Sequence, residues 1–560
     1  MGFRSYKIPG LVTVLISCTV TGWGAPRSSN EPSGGRWGDQ GDGSYCNPIL
    51  PADYSDIDAI RVGDDYYCVS STFQFSPGVV ILKSKDLVNW KIIGHAVPDV
   101  TQIDPKMNWD SMSEYGNGIW AGALRFHDGL YWVYFGTPSE GYFMTTAKDP
   151  SGPWAPLTRL MASGGWDDCC PFWDDDGQGY LVGSRFNNDP ADGKRYNIHL
   201  FKLTPDGKAL VPGFDRIIHQ SEGSEANKLY KINGLYYHLF SHVTPEGRVV
   251  MMGRSSSLEG PWELQQLQHG GAREPNQGGL VQTPSGEWWW LTHMGQGSWD
   301  GRIMNLLPVH WKDGLPMLGE PAEDGPGLMV WRNRKPIASK TNSSQLFQDT
   351  FDKTVLAPSW EWNYQPRSDK WSLTENPGSL RLHAFKPLRP YDGLFSVGNI
   401  LTQRPIRTNH SMVTVRMNVS AMQDGQRAGL CHFAGNWHYL GVIQEIGKRH
   451  IIFQQGDPKS SLPSTEQLGE EMQQNVIWLR SEWGQQGESS YSYSLDGSRF
   501  IPFGPTAALT SGNYRGDRVG LFTYNRMREK GSVDFDFFEQ VVDGPPGGGK
   551  SFESHSPSGS

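Results

Sequence analysis

GDDYYCVSS, residues 63–71, is the stretch that decides the fold. A Gly-containing turn runs directly into aromatic and β-branched residues, the local pattern of a hairpin feeding a strand. It returns as HDGLYWVYF at 127–135, DGQGYLVGS at 176–184, NGLYYHLFS at 233–241 and SGEWWWLTH at 285–293. The intervals are about 50 to 65 residues, the span of one four-stranded blade with insertions, and self-similarity at such a period marks propellers and arrays. A second echo lies between them: SKDLVNW at 84–90, AKDPSGPW at 147–154 and SSSLEGPW at 255–262. Five units predict an all-β chain that opens with a five-bladed β-propeller over residues 45–330.

Downstream, WRNRKPIASKTNSSQ (331–345) reads as a polar linker. Beyond it, short alternating segments such as RLHAF, HYLGVIQEIGKRHIIFQQ, RVGLFTYN and VDFDFFEQV show turn punctuation and no helical period, which predicts a β-sandwich over residues 346–542. The tail, 543–560, is low-complexity. Upstream, residues 25–44 are Gly- and Ser-rich and expected to be disordered. Residues 1–24 resemble a signal peptide: Arg4 and Lys7 give a basic start, residues 8–20 are mostly apolar, and Gly22 and Gly24 suit cleavage. The apolar run is too short to span a bilayer, so a secreted, extracellular protein is expected. Sequons at Asn342, Asn409 and Asn418 fit that compartment and a glycoprotein. After Cys18 departs with the signal, five cysteines remain, so at least one thiol lacks an internal partner, and the neighbours Cys169 and Cys170 do not pair without strain. The net charge of −9, with no basic stripe, excludes nucleic acid as the expected partner. Aromatic residues make up 12% of the chain, including 22 Trp, and serve either β-layer packing or platforms for sugar rings.

Three acidic loops stand ahead of repeat turns. The first lies in NPILPADYSDIDAIRVGDDYYCVSST (47–72) and carries Asp53, Asp56 and Asp58. The second is GGWDDCCPFWDDDG (164–177), where Asp174, Asp175 and Asp176 belong to the turn and Asp167 and Asp168 lie on the cavity side. The third is HQSEGSEANKLYKINGLYY (219–237), with Glu222 and Glu225. Asp56, Asp168 and Glu225 precede Asp65, Asp176 and Asn233 by 9, 8 and 8 residues. Equivalent positions on different blades face one axis, so these carboxylates are expected in one pocket. Repulsion and burial there push their pKa values apart, leaving one as an acid and another as a base, as glycosidic cleavage requires. Glu222 is the rival for the acid. No Ser-His-Asp, phosphate-loop or metal-ligand motif competes with this reading.

These motifs resemble the family 43 glycoside hydrolases of the two-domain β-xylosidase type, whose second domain is a concanavalin-A-like jelly roll; the resemblance runs from about Tyr45 to Val542. NPIL with its acidic loop and RVGDDYY is similar to the family's first-blade motif and implies the general base at Asp56. WDDCCPFWDDDG implies the acid-tuning, orienting carboxylate at Asp168. SEANKLYKINGLYY implies the general acid at Glu225, and WDGRIMNLLPVHW (299–311) implies a substrate-hydroxyl ligand at Arg302. Trp120 and Phe73 are candidates for ring stacking, with packing inside the blade as the alternative. His293 lines the axis or helps a bound ion in some relatives; here a structural role is expected, with no metal site and no required cofactor. Pro-Asp-Pro is replaced by Ser55-Asp56-Ile57, Glu-Gly-Pro-His by Glu225-Ala226-Asn227-Lys228, and Trp-Ala-Pro by Trp120-Ala121-Gly122. The resemblance implies an inverting exo-glycosidase releasing β-D-xylose from the non-reducing ends of xylo-oligosaccharide or arabinoxylan substrates, with a sandwich that packs on the propeller and partly closes the pocket. An α-L-arabinofuranosidase or an enzyme with both activities is the nearest alternative, and a non-catalytic sugar-binding propeller the third. No membrane partner is expected, and the oligomeric state stays open.

Overall fold

Each of the five repeated turns is the hairpin between the first two strands of a blade. The computed structural model describes residues 36–186, 196–245, 247–268, 275–294, 298–323, 325–339, 347–389, 392–458 and 464–544. The expected signal segment, the Asn342 sequon and all but two residues of the tail lie outside the described residues. Blade 1 is the antiparallel meander Asp58–Val62, Asp65–Ser70, Gly78–Ser84 and Trp90–Val97. Four further meanders begin at Gly122–His127, Trp166–Trp173, Ser224–Ile232 and Pro275–Gln282. The first strand of every blade packs against the first strands of its two neighbours, so these five strands line the axis. The second echo falls between the outer two strands of blades 1, 2 and 4.

The alternation of a strand explains why the repeat reads as nearly continuous apolar sequence. Successive side chains point to opposite faces. Tyr66 and Cys68 pack with Val281, Leu291 and Leu306 of blade 5, whereas Tyr67 and Val69 pack with Leu124 and Val133 of blade 2. Both faces of every blade are thus covered, and each large apolar side chain withdrawn from water contributes about 1.5–3 kcal/mol. Blades 1 and 5 approach so closely that a Cβ on Gly279 would stand 2.2 Å from the Ala59 nitrogen.

The ring is closed by the NPIL segment. The Asn47 side chain donates to the Leu306 and Val330 carbonyls, each at 2.7 Å, and accepts from the Leu306 amide at 2.9 Å. The Ile49 amide donates to the Met304 carbonyl at 2.9 Å. Residues 36–44 depart from the expected disorder. Gly38–Asp39 pairs with Ser44–Cys46, which pairs in turn with Arg332–Arg334 at the start of the expected linker. Trp37 is only 1% exposed, and Asp39 meets the buried Lys335 at 2.5 Å, so a buried ring and an ion pair fix a segment whose composition favours disorder. Cys46, Cys68, Cys169, Cys170 and Cys431 are all buried free thiols.

The C-terminal region forms a sandwich of a nine-stranded and an eight-stranded sheet around a core that includes Val413, Val415, Leu430, Leu440, Leu479 and Phe535. Phe75–Ser76, from the connection inside blade 1, pairs with Glu361–Asn363 and extends the eight-stranded sheet at its edge. Between the domains Glu361, 1% exposed, meets Arg404 at 2.6 Å, His95 at 3.0 Å and Arg518 at 3.6 Å. Arg518 also meets Asp53 at 3.1 Å, tying the sandwich to the first acidic loop. Burial raises the Glu361 pKa, but Arg404, His95 and Arg518 outweigh it and hold it at about 2.

Candidate active site

The three acidic loops end at the same kind of backbone irregularity. Asp56, Asp168 and Ala226 adopt φ of 58°, 50° and 65° at the top of the first strands of blades 1, 3 and 4. Non-glycine residues rarely occupy this left-handed region, and such outliers gather at functional sites. In blade 3 the register slips between Asp167, opposite Ser184, and Cys170, opposite Val182; in blade 4 it slips between Glu225, opposite Ser241, and Lys228, opposite Leu239. Glu225 is therefore the counterpart of Asp167, and Ala226 that of Asp168. Equal offsets from the turn had suggested that Asp168 and Glu225 are equivalent. They differ by one place because the hairpin turn is longer in blade 3, spanning residues 174–178, than in blade 4, residues 233–234.

The irregularities bring the three carboxylates within reach of one another's charge. Asp56 receives the Arg302 guanidinium at 2.7 Å on Oδ1 and the Ser71 hydroxyl at 2.6 Å on Oδ2, and its amide donates to His293 Nδ1 at 2.6 Å. Asp168 Oδ2 accepts from the Ala226 amide at 2.8 Å and Oδ1 from Gln277 Nε2 at 3.1 Å. Asn227 Nδ2 donates to the Asp168 carbonyl at 2.9 Å, while Asn227 Oδ1 meets His238 Nε2 at 2.9 Å. Ala226 and Asn227, both departures from the family pattern, thus join the Asp168 strand to the Glu225 strand. Lys228, 1% exposed, donates to the Asn227 carbonyl at 3.1 Å. Glu225 meets Arg248 Nη2 at 2.9 Å, and its side chain is 22% exposed.

These groups act on one another's charge. The charge on Arg302 is stabilised by Asp56, Glu225, Asp168 and Asp53 together, against the cost of burial. Burial raises the Glu225 carboxyl to about 7; Arg248 and Arg302 pull it down while Asp168 and Asp56 push it up. Burial and the charge of Asp56 also raise Asp168, opposed by Lys228. Asp167 is pushed well above the carboxylate range by burial, Asp168 and Glu225. Burial, Arg302 and Lys228 drive His293 far below its ordinary value, so it is a neutral acceptor for the Asp56 amide. Among the described residues, no group of three or more His, Cys, Asp or Glu side chains is arranged to hold a metal ion.

The remaining candidates take different places. Trp120 is half-buried, its ring 5.7 Å from Tyr514 and 6.3 Å from Phe186. Phe73 is 2% exposed and bridges Ile119 through its backbone, which leaves little of its ring open to a ligand. Glu222 is exposed and lies beside His242. Cys169 and Cys170 are wholly buried; Arg125 Nη2 donates to Cys170 Sγ at 2.8 Å. Sequence reasoning missed Arg248, Gln277, Ser71 and Tyr514. Tyr514 comes from the sandwich: the Arg302 guanidinium lies 5.5 Å from its ring centre, and its carbonyl accepts from Ser55 Oγ at 3.3 Å. Its loop is pressed onto blade 5, where the Asp517 amide donates to the Trp299 carbonyl at 2.7 Å and a Cβ on Gly516 would stand 2.5 Å from the Gly301 nitrogen. No local pattern marks these residues.

Comparison with known proteins agrees with the geometry. Residues 45–316 match the family model for glycosyl hydrolases family 43, and residues 348–540 match that for the beta xylosidase C-terminal concanavalin A-like domain. The chain is 34% identical to a beta-xylosidase of Formosa agariphila over 91% of this chain and 92% of that protein. It is 32% identical to a non-reducing end alpha-L-arabinofuranosidase of Bacteroides ovatus over 60% of this chain and 65% of that protein. A bifunctional GH43-CE protein of Bacteroides eggerthii superposes with a TM-score of 0.78 at 31% identity, covering 89% of this chain and 63% of that longer one. The chain therefore belongs to family 43 of the glycosyl hydrolases and is a glycosidase, a five-bladed propeller joined to a concanavalin-A-like sandwich.

Proposed function

We propose that the enzyme is an exported, inverting exo-glycosidase that releases β-D-xylose from the non-reducing ends of xylo-oligosaccharides. The observation that carries this is the pairing of unlike carboxyls about one arginine. Asp56 is held by the Arg302 guanidinium and the Ser71 hydroxyl, whereas Glu225, acted on by the charges of the same Arg302 and of Asp56, is a raised acid. Glu225 protonates the leaving oxygen, and Asp56 takes a proton from water on the opposite face of the sugar. Asp168, fixed by the Ala226 amide and Gln277, lies beside Glu225, and its charge pushes the Glu225 carboxyl up toward its protonated form. Arg302, bound to Asp56, holds hydroxyls of the terminal sugar in this reading. The Tyr514 loop adds a wall that an internal chain would have to pass, which supports action at chain ends. Export rests on the basic and then apolar pattern of residues 1–24.

The relative named as an arabinofuranosidase favours a second reading, in which arabinose is released instead of or alongside xylose. Turnover of the p-nitrophenyl glycosides of β-D-xylose and α-L-arabinofuranose, followed by product analysis on arabinoxylan fragments, separates the two. Release of neither sugar would overturn both.

A further inference from the structure

Arg248 has no part in the chemistry above, yet it touches the acid. It lies near the start of Gly247–Ser255, the third strand of blade 4, and reaches back over the second strand to the first. Its Nη2 meets Glu225 Oε1 at 2.9 Å and its Nη1 donates to Ser241 Oγ at 3.1 Å; Ser241 is the register partner of Glu225. Neither member of the pair is sealed off, since the side chains are 26% and 22% exposed. A guanidinium in this position favours the carboxylate form of Glu225, the form that cannot donate a proton. Weakening of the contact once substrate is in place therefore favours the acid form.

The surroundings indicate what the guanidinium turns to. Glu225 faces the leaving oxygen in the proposed reaction, so Arg248 beside it lies on the side of the departing group. From Tyr514, against Arg302, a run of rings passes through Trp120 and Phe186 to Tyr196, beside Glu225 and Arg248, with successive centroids 5.7, 6.3 and 5.0 Å apart. Five N–H donors in a planar fork suit the adjacent hydroxyls of a sugar, whereas an aryl leaving group offers no such acceptors. The groups that face Glu225 are Asp167 and Asp168 on the first strand of blade 3, Tyr196 on its third strand, Asp56, Arg302 and Arg248. Behind Arg248 stand His242, on the second strand of blade 4, and Glu222.

We propose that Arg248 sets leaving-group specificity: in the empty site its guanidinium opposes protonation of Glu225, and in the complex it passes its N–H donors to hydroxyls of the saccharide leaving group, so that Glu225 holds its proton more firmly until it gives it to the leaving oxygen. This rests on Glu225 being the general acid. The enzyme is then tuned for oligosaccharides over aryl glycosides of the same sugar.

The test compares pH profiles for an oligosaccharide (xylobiose, or an arabinose-substituted xylo-oligosaccharide if arabinose is released) and for the p-nitrophenyl glycoside of the same pentose. Wild type, Arg248→Gln and Arg248→Lys are measured, with thermal melts to confirm folding. In the wild type, the basic limb of kcat should lie above that of kcat/KM for the oligosaccharide, and the two should coincide for the aryl glycoside. Arg248→Gln should lower the oligosaccharide-to-aryl ratio of kcat/KM about ten- to a hundredfold, the size of a charge-assisted hydrogen bond, and should erase the gap between the limbs. Arg248→Lys should recover part of the ratio. An unchanged ratio and unchanged limbs in a folded Arg248→Gln would overturn the proposal. Glu225→Gln keeps the two readings apart. If it cleaves oligosaccharide normally, the acid assignment fails and this proposal falls with it. If it is inactive on oligosaccharide while Arg248→Gln behaves as wild type, only the proposal about Arg248 fails.

Discussion

Glu225→Gln tests the reaction most directly, because the structure fixes both the size and the shape of the effect. With the acid at about 7 instead of the ordinary 4.5, roughly nine-tenths of the enzyme is protonated at pH 6, against about 3% for an unshifted carboxyl. Burial and neighbouring charge thus supply about a thirtyfold larger population of the working form. In the wild type, kcat/KM should fall about tenfold per pH unit above about 7. The glutamine variant keeps the shape and still accepts the Arg248 hydrogen bond but donates no acidic proton. Hydrolysis of xylobiose should drop ~10²–10⁴-fold, about 3–5 kcal/mol of barrier. The p-nitrophenyl glycoside, whose leaving group needs little protonation, should lose far less, and its profile should be flat where the wild type declines. Folding is separately readable. A carboxyl raised on folding carries its stability below its unfolded value and loses it as pH rises through the folded value, so the variant should be at least as stable as the wild type at pH 8. The assay is initial-rate kinetics on both substrates from pH 4 to 9, with thermal melts alongside. Retention of full activity on xylobiose, or a basic limb still near 7 in the variant, would refute the assignment.

Asp56→Asn should lower both substrates alike by ~10²–10⁴-fold, because water must be activated whatever the leaving group; an aryl-selective loss would contradict the base role. Glu361→Gln should cost about 3 kcal/mol in urea unfolding at pH 7, since the carboxyl is held at about 2 rather than 4.5. A depressed carboxyl gives stability above its unfolded value that is lost as pH falls through its folded value, so wild type and variant should converge between about pH 5 and 2. Tyr514→Ala removes the sandwich's ring from Arg302 and Trp120 and should raise KM about fivefold with a smaller change in kcat, taking ~1 kcal/mol for an aromatic contact; Michaelis kinetics on the preferred glycoside decide it.

The sequence by itself determined the architecture of each blade. A hairpin needs a residue that tolerates positive φ, and Gly63 (φ 61°) and Gly234 (φ 80°) supply it next to strands buried on both faces, so turn and aromatic run appear together as a readable period. The same local logic exposed Asp56, Asp168 and Glu225, each set a short distance before its turn. It reached its limit at the register slips. Whether Glu225 or Ala226 corresponds to Asp168 depends on how a bulge sits against the neighbouring strand, which no residue count along one strand reveals. Tertiary structure alone decided the rest. Arg302 reaches Asp56 across 246 positions, Arg404 reaches Glu361 in the domain interface, Tyr514 enters the site from the sandwich, and Trp37 and Asp39 order a segment whose composition favours disorder. Such contacts follow from ring closure and domain docking, where the burial of charge is offset only once distant strands have come together. Short-range propensity carries no trace of them.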